Sequence, residues 1–294
     1  MHFLRQLILC WLILFLPAAM AGDRALVRAD GLAAMVNQGP YRFSHVRDNP
    51  TTEGIRRQVV RYEVDGLVQY ALVLWPVGEA PGDGWPVMQF NHGFHPDPPR
   101  NGFNARGESD RPGDYYRETV QAFAREGFVV VAPDYRGHNI SDGGEFTARP
   151  EADAWYSRDA IACFLAIQSL PGLDLERIYM LGHSMGGAVT LRSLEALGEK
   201  VRAASVWSTA GEEYGDSELS PFKRLEELQV PLSIQHSEGD AATKVANSRE
   251  LATRLQSVGA AYQLNIFPSD EHLFADEDFV EAIARDLAWF RRYR

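Results

Sequence analysis

The pentapeptide Gly182-His183-Ser184-Met185-Gly186 has the form GxSxG and lies between the apolar stretch RIYML and the helical pattern GGAVTLRSLEAL. A serine at a sharp strand-to-helix turn is a nucleophile once a base takes its proton. Small flanking residues are what such a turn needs, because bulk there would strike neighbouring backbone and crowd a substrate. The chemistry this pattern predicts is attack on an acyl carbon. That attack requires a histidine, a carboxylate to orient it, and N–H donors for the oxygen that becomes charged.

The chain supplies candidates for each role. Asp240 ends PLSIQHSEGD just past an expected strand, and His272 lies in SDEHLF after the last expected strand. Of the eight histidines, only His272 follows both the serine and a candidate acid; His2 and His45 precede the sheet, and His92, His95, His138, His183 and His236 lie at other strand ends. Glu238, Asp270 and Glu271 are alternative acids that read more simply as solvated loop charges. The oxyanion donors are expected to be the N–H of Met185, at the start of the helix, and the N–H of Phe94, in the segment Asn91-His92-Gly93-Phe94. His92 is read as a brace for that loop. Phe94, Tyr135 and Trp207 follow strands that end at the same edge and are expected either to line the substrate pocket or to pack in the core or at its rim. Cys163, within IACFLAI, is expected to be buried in a helix.

Residues this far apart meet only if several strands end on one edge of a sheet. The segments QVVRYEV and LVQYALVLWP flank Asp65-Gly66, a two-residue hairpin turn, and predict an antiparallel N-terminal edge. Thereafter strands (VMQF, FVVVAPD, RIYMLG, ASVWS, PLSIQH, AYQLNIF) alternate with helical stretches. FVVVAPD is apolar throughout, as in a parallel sheet buried on both faces. The expected fold is α/β, a mainly parallel, eight-stranded twisted sheet with helices on both faces, spanning 57–294. Residues 22–56 lack periodicity and are expected to wrap the outside as an arm. Residues 208–229 are too few for more than a minimal lid, and the long loop 95–114 is either a wall of the acyl pocket, as its position suggests, or a surface insertion.

At the N-terminus, MHFLRQLILCWLILFLPAAMA carries Arg5 ahead of an apolar run from Leu7 to Leu16, then small residues at Ala19 and Ala21. This pattern predicts a signal peptide over 1–21, export to the periplasm or beyond the cell, and no stable membrane insertion after cleavage. Removal of Cys10 would leave Cys163 alone, so no intramolecular disulfide is expected. The formal charge of −11 disfavours a phosphate backbone as partner.

With APDYRGHNISDGGEF at 132–146, GHSMGG at 182–187 and HSEGD at 236–240, the chain resembles the α/β-hydrolase superfamily. The branch it resembles is that of the dienelactone-hydrolase-like and prolyl-oligopeptidase-like (peptidase S9) catalytic domains, from about Gln58 to the end. The resemblance implies the same Ser184, Asp240, His272 triad and acyl-transfer chemistry, with no metal or organic cofactor. The leading expectation is hydrolysis of a carboxylic ester, the substrate being a small-molecule ester or short peptide. An exopeptidase or amidase using the same triad is the alternative, and a non-catalytic binding protein on the same fold is a third reading. No propeller precedes the catalytic region, which weakens the expectation of gated peptide cleavage.

Overall fold

The computed structural model describes residues 23–100, 116–212 and 215–294; the signal read at 1–21 and most of the loop 95–114 lie outside the described residues. Among the described residues, strands β1 (Ser44–Thr52), β2 (Ile55–Val64), β3 (Leu67–Trp75), β4 (Trp85–Asn91), β5 (Val129–Asp134), β6 (Leu173–His183), β7 (Ala203–Trp207), β8 (Leu232–Ser237) and β9 (Tyr262–Phe267) form one sheet. Their order is β1-β2-β3-β5-β4-β6-β7-β8-β9. The helices are α1 (Ala29–Ala34), which lies against α3 and α4, and, on the sheet, α2 (Arg117–Arg125), α3 (Ala152–Ala166), α4 (Met185–Leu197), α5 (Val245–Val258) and α6 (Asp276–Arg292). None of the described helices is long and apolar enough to cross a membrane.

The Asp65-Gly66 turn joins β2 to β3 with both residues left-handed, at φ 55° and 77°. Two consecutive positive φ values define the turn whose twist matches a two-residue hairpin. β3 pairs antiparallel with β5, and from β5 through β9 every pairing is parallel. β5 shows why its sequence is apolar without alternation. Val129 and Val131 pack into the layer that holds α3, α4 and α5, while Val130 and Ala132 pack into the opposite layer with α2 and α6.

The sheet has nine strands where eight were expected, and the difference lies in the segment read as an exterior arm. Residues 44–52 pair antiparallel with β2, from Ser44 opposite Arg61 to Thr52 opposite Ile55. This edge strand is exposed along nearly its whole length, so no buried face imposes a period-two pattern on its sequence. Pro50 is tolerated because an edge strand need not donate from every N–H.

Register then sets up the site. Asn91 at the end of β4 lies opposite Gly182 near the end of β6, and His183 lies opposite Trp207 at the end of β7. The chain leaves β4 toward β5 on one side and leaves β6 toward β7 on the other. Neighbouring strands whose connections diverge open a crevice beyond their carboxyl ends.

Candidate active site

Ser184 is the single residue between β6 and α4, and it is held at φ 57°, ψ −123°. A non-glycine residue in this region is strained and persists only where its surroundings determine it. Here its N–H donates to the Trp207 carbonyl at 2.9 Å, and its own carbonyl accepts from Gly187 N–H at 2.9 Å and Ala210 N–H at 3.1 Å. The turn also brings α4 against the end of β4. A Cβ on Gly186 would fall 2.1 Å from the Asn91 carbonyl oxygen, which explains a glycine two residues beyond the serine. Met185 is the first residue of α4, where N–H groups have no partner within the helix.

Asp240 and His272 meet 32 residues apart in sequence, with His272 Nδ1 2.8 Å from Asp240 Oδ2. The other oxygen, Oδ1, accepts from Ala242 N–H at 2.8 Å and Thr243 N–H at 3.0 Å. The Thr243 hydroxyl lies 2.9 Å from Oδ2, and His236 Nε2 lies 3.3 Å from it. Burial acts to raise this carboxyl, but hydrogen bonds from His236, His272 and the Thr243 backbone prevail and hold it well below the ordinary carboxylate range. The alternative acids stand elsewhere: Glu238 pairs outward with Arg249, and Asp270 and Glu271 are exposed.

The oxyanion-loop candidate reaches the same place. Gly93 packs on the serine so closely that an added Cβ would lie 3.1 Å from Ser184 Cβ. Its N–H donates to the Tyr116 hydroxyl at 2.9 Å, so the next N–H the loop offers is that of Phe94. Phe94 is 53% exposed. His92 is buried with Nδ1 2.9 Å from the Gly93 carbonyl oxygen, a position that fits a brace for the loop.

Two of the expected pocket residues are not on a surface at all. Tyr135 and Trp207 are both 0% exposed. Tyr135 stacks between His92 at 4.2 Å and Tyr156 at 5.1 Å and donates to the His92 carbonyl at 3.2 Å. Trp207 turns into the α6 layer, where Nε1 donates to Asp286 Oδ2 at 2.7 Å and the ring packs on Phe274. Both take the core alternative over the pocket, and for the same reason. A strand end delivers the backbone to the crevice, but its side chain follows the pleat into a core layer.

His183, His236, Thr243 and Tyr116 also meet at this site, with no sequence signal that places them there. His183 and His236 were legible as histidines at strand ends; nothing in spacing tied either to Asp240 or to the base loop. Cys163 is fully buried, and burial pushes its thiol well above the ordinary value, unlike an activated nucleophile. Among the described residues no group of three or more His, Cys, Asp or Glu is arranged to hold a metal ion.

A twisted, mostly parallel sheet with an antiparallel edge, and a serine on a strained turn between strand and helix, define the α/β-hydrolase fold. The chain has that fold. Residues 101–239 match the family model of the alpha/beta hydrolase fold, and residues 202–294 match that of the prolyl oligopeptidase family. An uncharacterized peptidase of Bacillus subtilis, YtmA, is 22% identical over 195 residues, covering 58% of this chain and 74% of its own. A puromycin-hydrolyzing peptidase of Mycobacterium tuberculosis superposes with TM-score 0.69 at 18% identity, covering 83% of this chain and 40% of that one. An acetyl xylan esterase from Paenibacillus sp. R4 gives TM-score 0.66 at 14% identity, covering 90% of this chain and 93% of that one. The chain thus spans less than half of the mycobacterial peptidase.

Proposed function

We propose that this protein is a serine hydrolase that cleaves an acyl bond through a covalent acyl-enzyme on Ser184. The observation that carries the reading is the 2.8 Å contact between His272 Nδ1 and an Asp240 carboxylate held ionised, on the same sheet edge as the strained serine. In this reading His272 Nε2 takes the Ser184 proton as Oγ bonds to the acyl carbon, and the carbonyl oxygen takes the negative charge. The N–H groups of Met185 and Phe94 receive that charge, and Asp240 stabilises the imidazolium. His272 then returns the proton to the departing alcohol or amine. Water, deprotonated by the same imidazole, releases the acid and restores the serine.

A fluorophosphonate probe tests the class. We expect the wild type to be labelled and Ser184→Ala to be unlabelled. An unlabelled wild type overturns the reading in favour of a binding protein on the same fold.

For the substrate, the residues alone put a carboxylic ester first, and the likeness to the Paenibacillus esterase supports that. The match of residues 202–294 to the prolyl oligopeptidase family and the likeness to YtmA shift the weight to a short peptide or acylated amine. An alkoxide leaves more readily than an amine, so an aryl ester should be turned over under either reading. The ratio of kcat/KM on an aminoacyl anilide to that on an aryl ester separates them, and faster anilide cleavage establishes the peptidase. Export belongs to the same proposal and rests on the 1–21 segment; secreted or periplasmic material beginning at Gly22 is the expected result of N-terminal sequencing.

A further inference from the structure

A chain of hydrogen bonds, two of them buried and the third partly so, joins both ends of the loop between β4 and α2 to the end of β6 and the loop of His272. Gly93 N–H donates to Tyr116 Oη at 2.9 Å, Tyr116 Oη lies 2.8 Å from His183 Nδ1, and His183 Nε2 lies 2.7 Å from the His272 carbonyl oxygen. The direction of each bond follows from what each atom can do. A carbonyl only accepts, so His183 Nε2 carries the hydrogen. Burial, reinforced by the nearby His272, pushes His183 down to about 3, so its ring is neutral and Nδ1 is bare. Nδ1 therefore accepts the Tyr116 O–H, which leaves the tyrosine oxygen's lone pair for Gly93 N–H.

Tyr116 and His183 are well shielded from water, at 2% and 1% exposed, and His272 is partly buried. In such a site a donor facing a donor, or an acceptor facing an acceptor, costs more than the bond it replaces. The contacts span 23, 67 and 89 residues of sequence. They connect the loop after β4, the residue before α2, the residue before the serine and the loop that carries the base. The His183 and His272 rings are 4.5 Å apart, so a shift in one is felt by the other.

We propose that Tyr116 and His183 are positioning residues of the acyl-transfer site: the Tyr116 hydroxyl donates to His183 Nδ1 and so holds in place the ring whose Nε2–H grips the main chain of His272. The same hydroxyl engages Gly93 N–H and so sets the loop to offer Phe94 N–H. The inference rests on the serine-hydrolase reading above. Without the hydroxyl, His183 Nδ1 is left without its donor and the ring loses the contact that holds Nε2–H on the His272 carbonyl oxygen. The base loop would move away from the serine without any loss of the base itself.

Kinetics on an aryl ester test this, with folding checked by thermal melts. Tyr116→Phe should lower kcat by about 10- to 100-fold, as a small misplacement of a catalytic group does, with KM within about threefold of wild type. His183→Gln keeps an amide N–H where Nε2 stood, so it should retain about tenfold more kcat than His183→Leu. A folded Tyr116→Phe with wild-type kcat, or one whose melting temperature falls while kcat does not, overturns the inference. So does His183→Gln performing no better than His183→Leu. A wild type that the fluorophosphonate does not label overturns the hydrolase reading and the inference with it; a labelled wild type beside an unaffected Tyr116→Phe overturns the inference alone.

Discussion

The two oxygens of Asp240 are assigned to different neighbours, and that asymmetry determines what an amide would do there. Oδ1 is occupied by the N–H groups of Ala242 and Thr243, while Oδ2 faces His272 Nδ1. In Asp240→Asn the amide oxygen must stay with the two backbone donors, which turns the NH₂ toward His272. The imidazole then presents a bare Nδ1 and carries its hydrogen on Nε2, the wrong tautomer for accepting a serine proton. A loss of about 10⁴ in kcat is expected, with KM and the fold little changed, since geometry is kept and only the proton is misplaced. Steady-state kinetics with a thermal melt check it; a loss under tenfold would show that another group orients the base. At this scale the proposed triad was readable, because a nucleophile on a turn, an acid and a base must come in workable order at strand ends. Its supports were not. Tyr116 and His183 meet across 67 residues, and no local pattern announces a hydrogen bond formed only when two crossovers close.

Elements show the same division between local and long-range signals. Strands with two buried faces, such as β5, and the Asp65-Gly66 hairpin carry their signature in a few adjacent residues and were legible. β1 was not, because an exposed edge strand is selected for pairing and not for burial. Trp207 and Tyr135 were legible as strand-end residues with pocket and core both open, since a sequence shows where a strand stops but not which layer its last side chain joins. The contact between α4 and β4 allows a direct test of how tightly elements hold the serine turn. In Gly186→Ala the new methyl would lie 2.1 Å from the Asn91 carbonyl and 2.5 Å from that of His92, both main-chain atoms. Such overpacking should cost about 2–3 kcal/mol in denaturant unfolding. Gly144→Ala, which meets nothing within 4 Å, serves as its partner and should stay within about 0.5 kcal/mol of wild type. Equal midpoints for the two variants would show that the helix start yields where the geometry says it cannot.

Across the whole molecule, the C-terminal helix is fastened to the sheet by one buried carboxyl behind the site. Asp286 on α6 lies 2.8 Å from the Ser205 hydroxyl, 2.7 Å from Trp207 Nε1 and 2.9 Å from the Ser233 hydroxyl, and so spans β7 and β8. Trp207 in turn accepts the Ser184 N–H, so this anchor is one residue removed from the serine turn. Burial pushes Asp286 from 3.8 up to about 7, against hydrogen bonds from Ser205, Trp207 and Ser233 that favour the ionised form. Between those two values the folded chain keeps a proton that the unfolded chain has lost. This group's contribution is therefore fully present below about pH 4 and declines as pH rises toward 7. Asp286→Asn has nothing to titrate there. Its unfolding free energy minus that of the wild type should thus grow with pH across this window, by about 1.4 kcal/mol per unit where the dependence is steepest. The other ionisable groups are common to both proteins and cancel in the difference, so the sign does not depend on whether the amide itself fits well or badly. Urea unfolding of the pair at a series of pH values measures the gap, and a gap that is flat from pH 4 to pH 8 would mean that the carboxyl stays ionised among its donors.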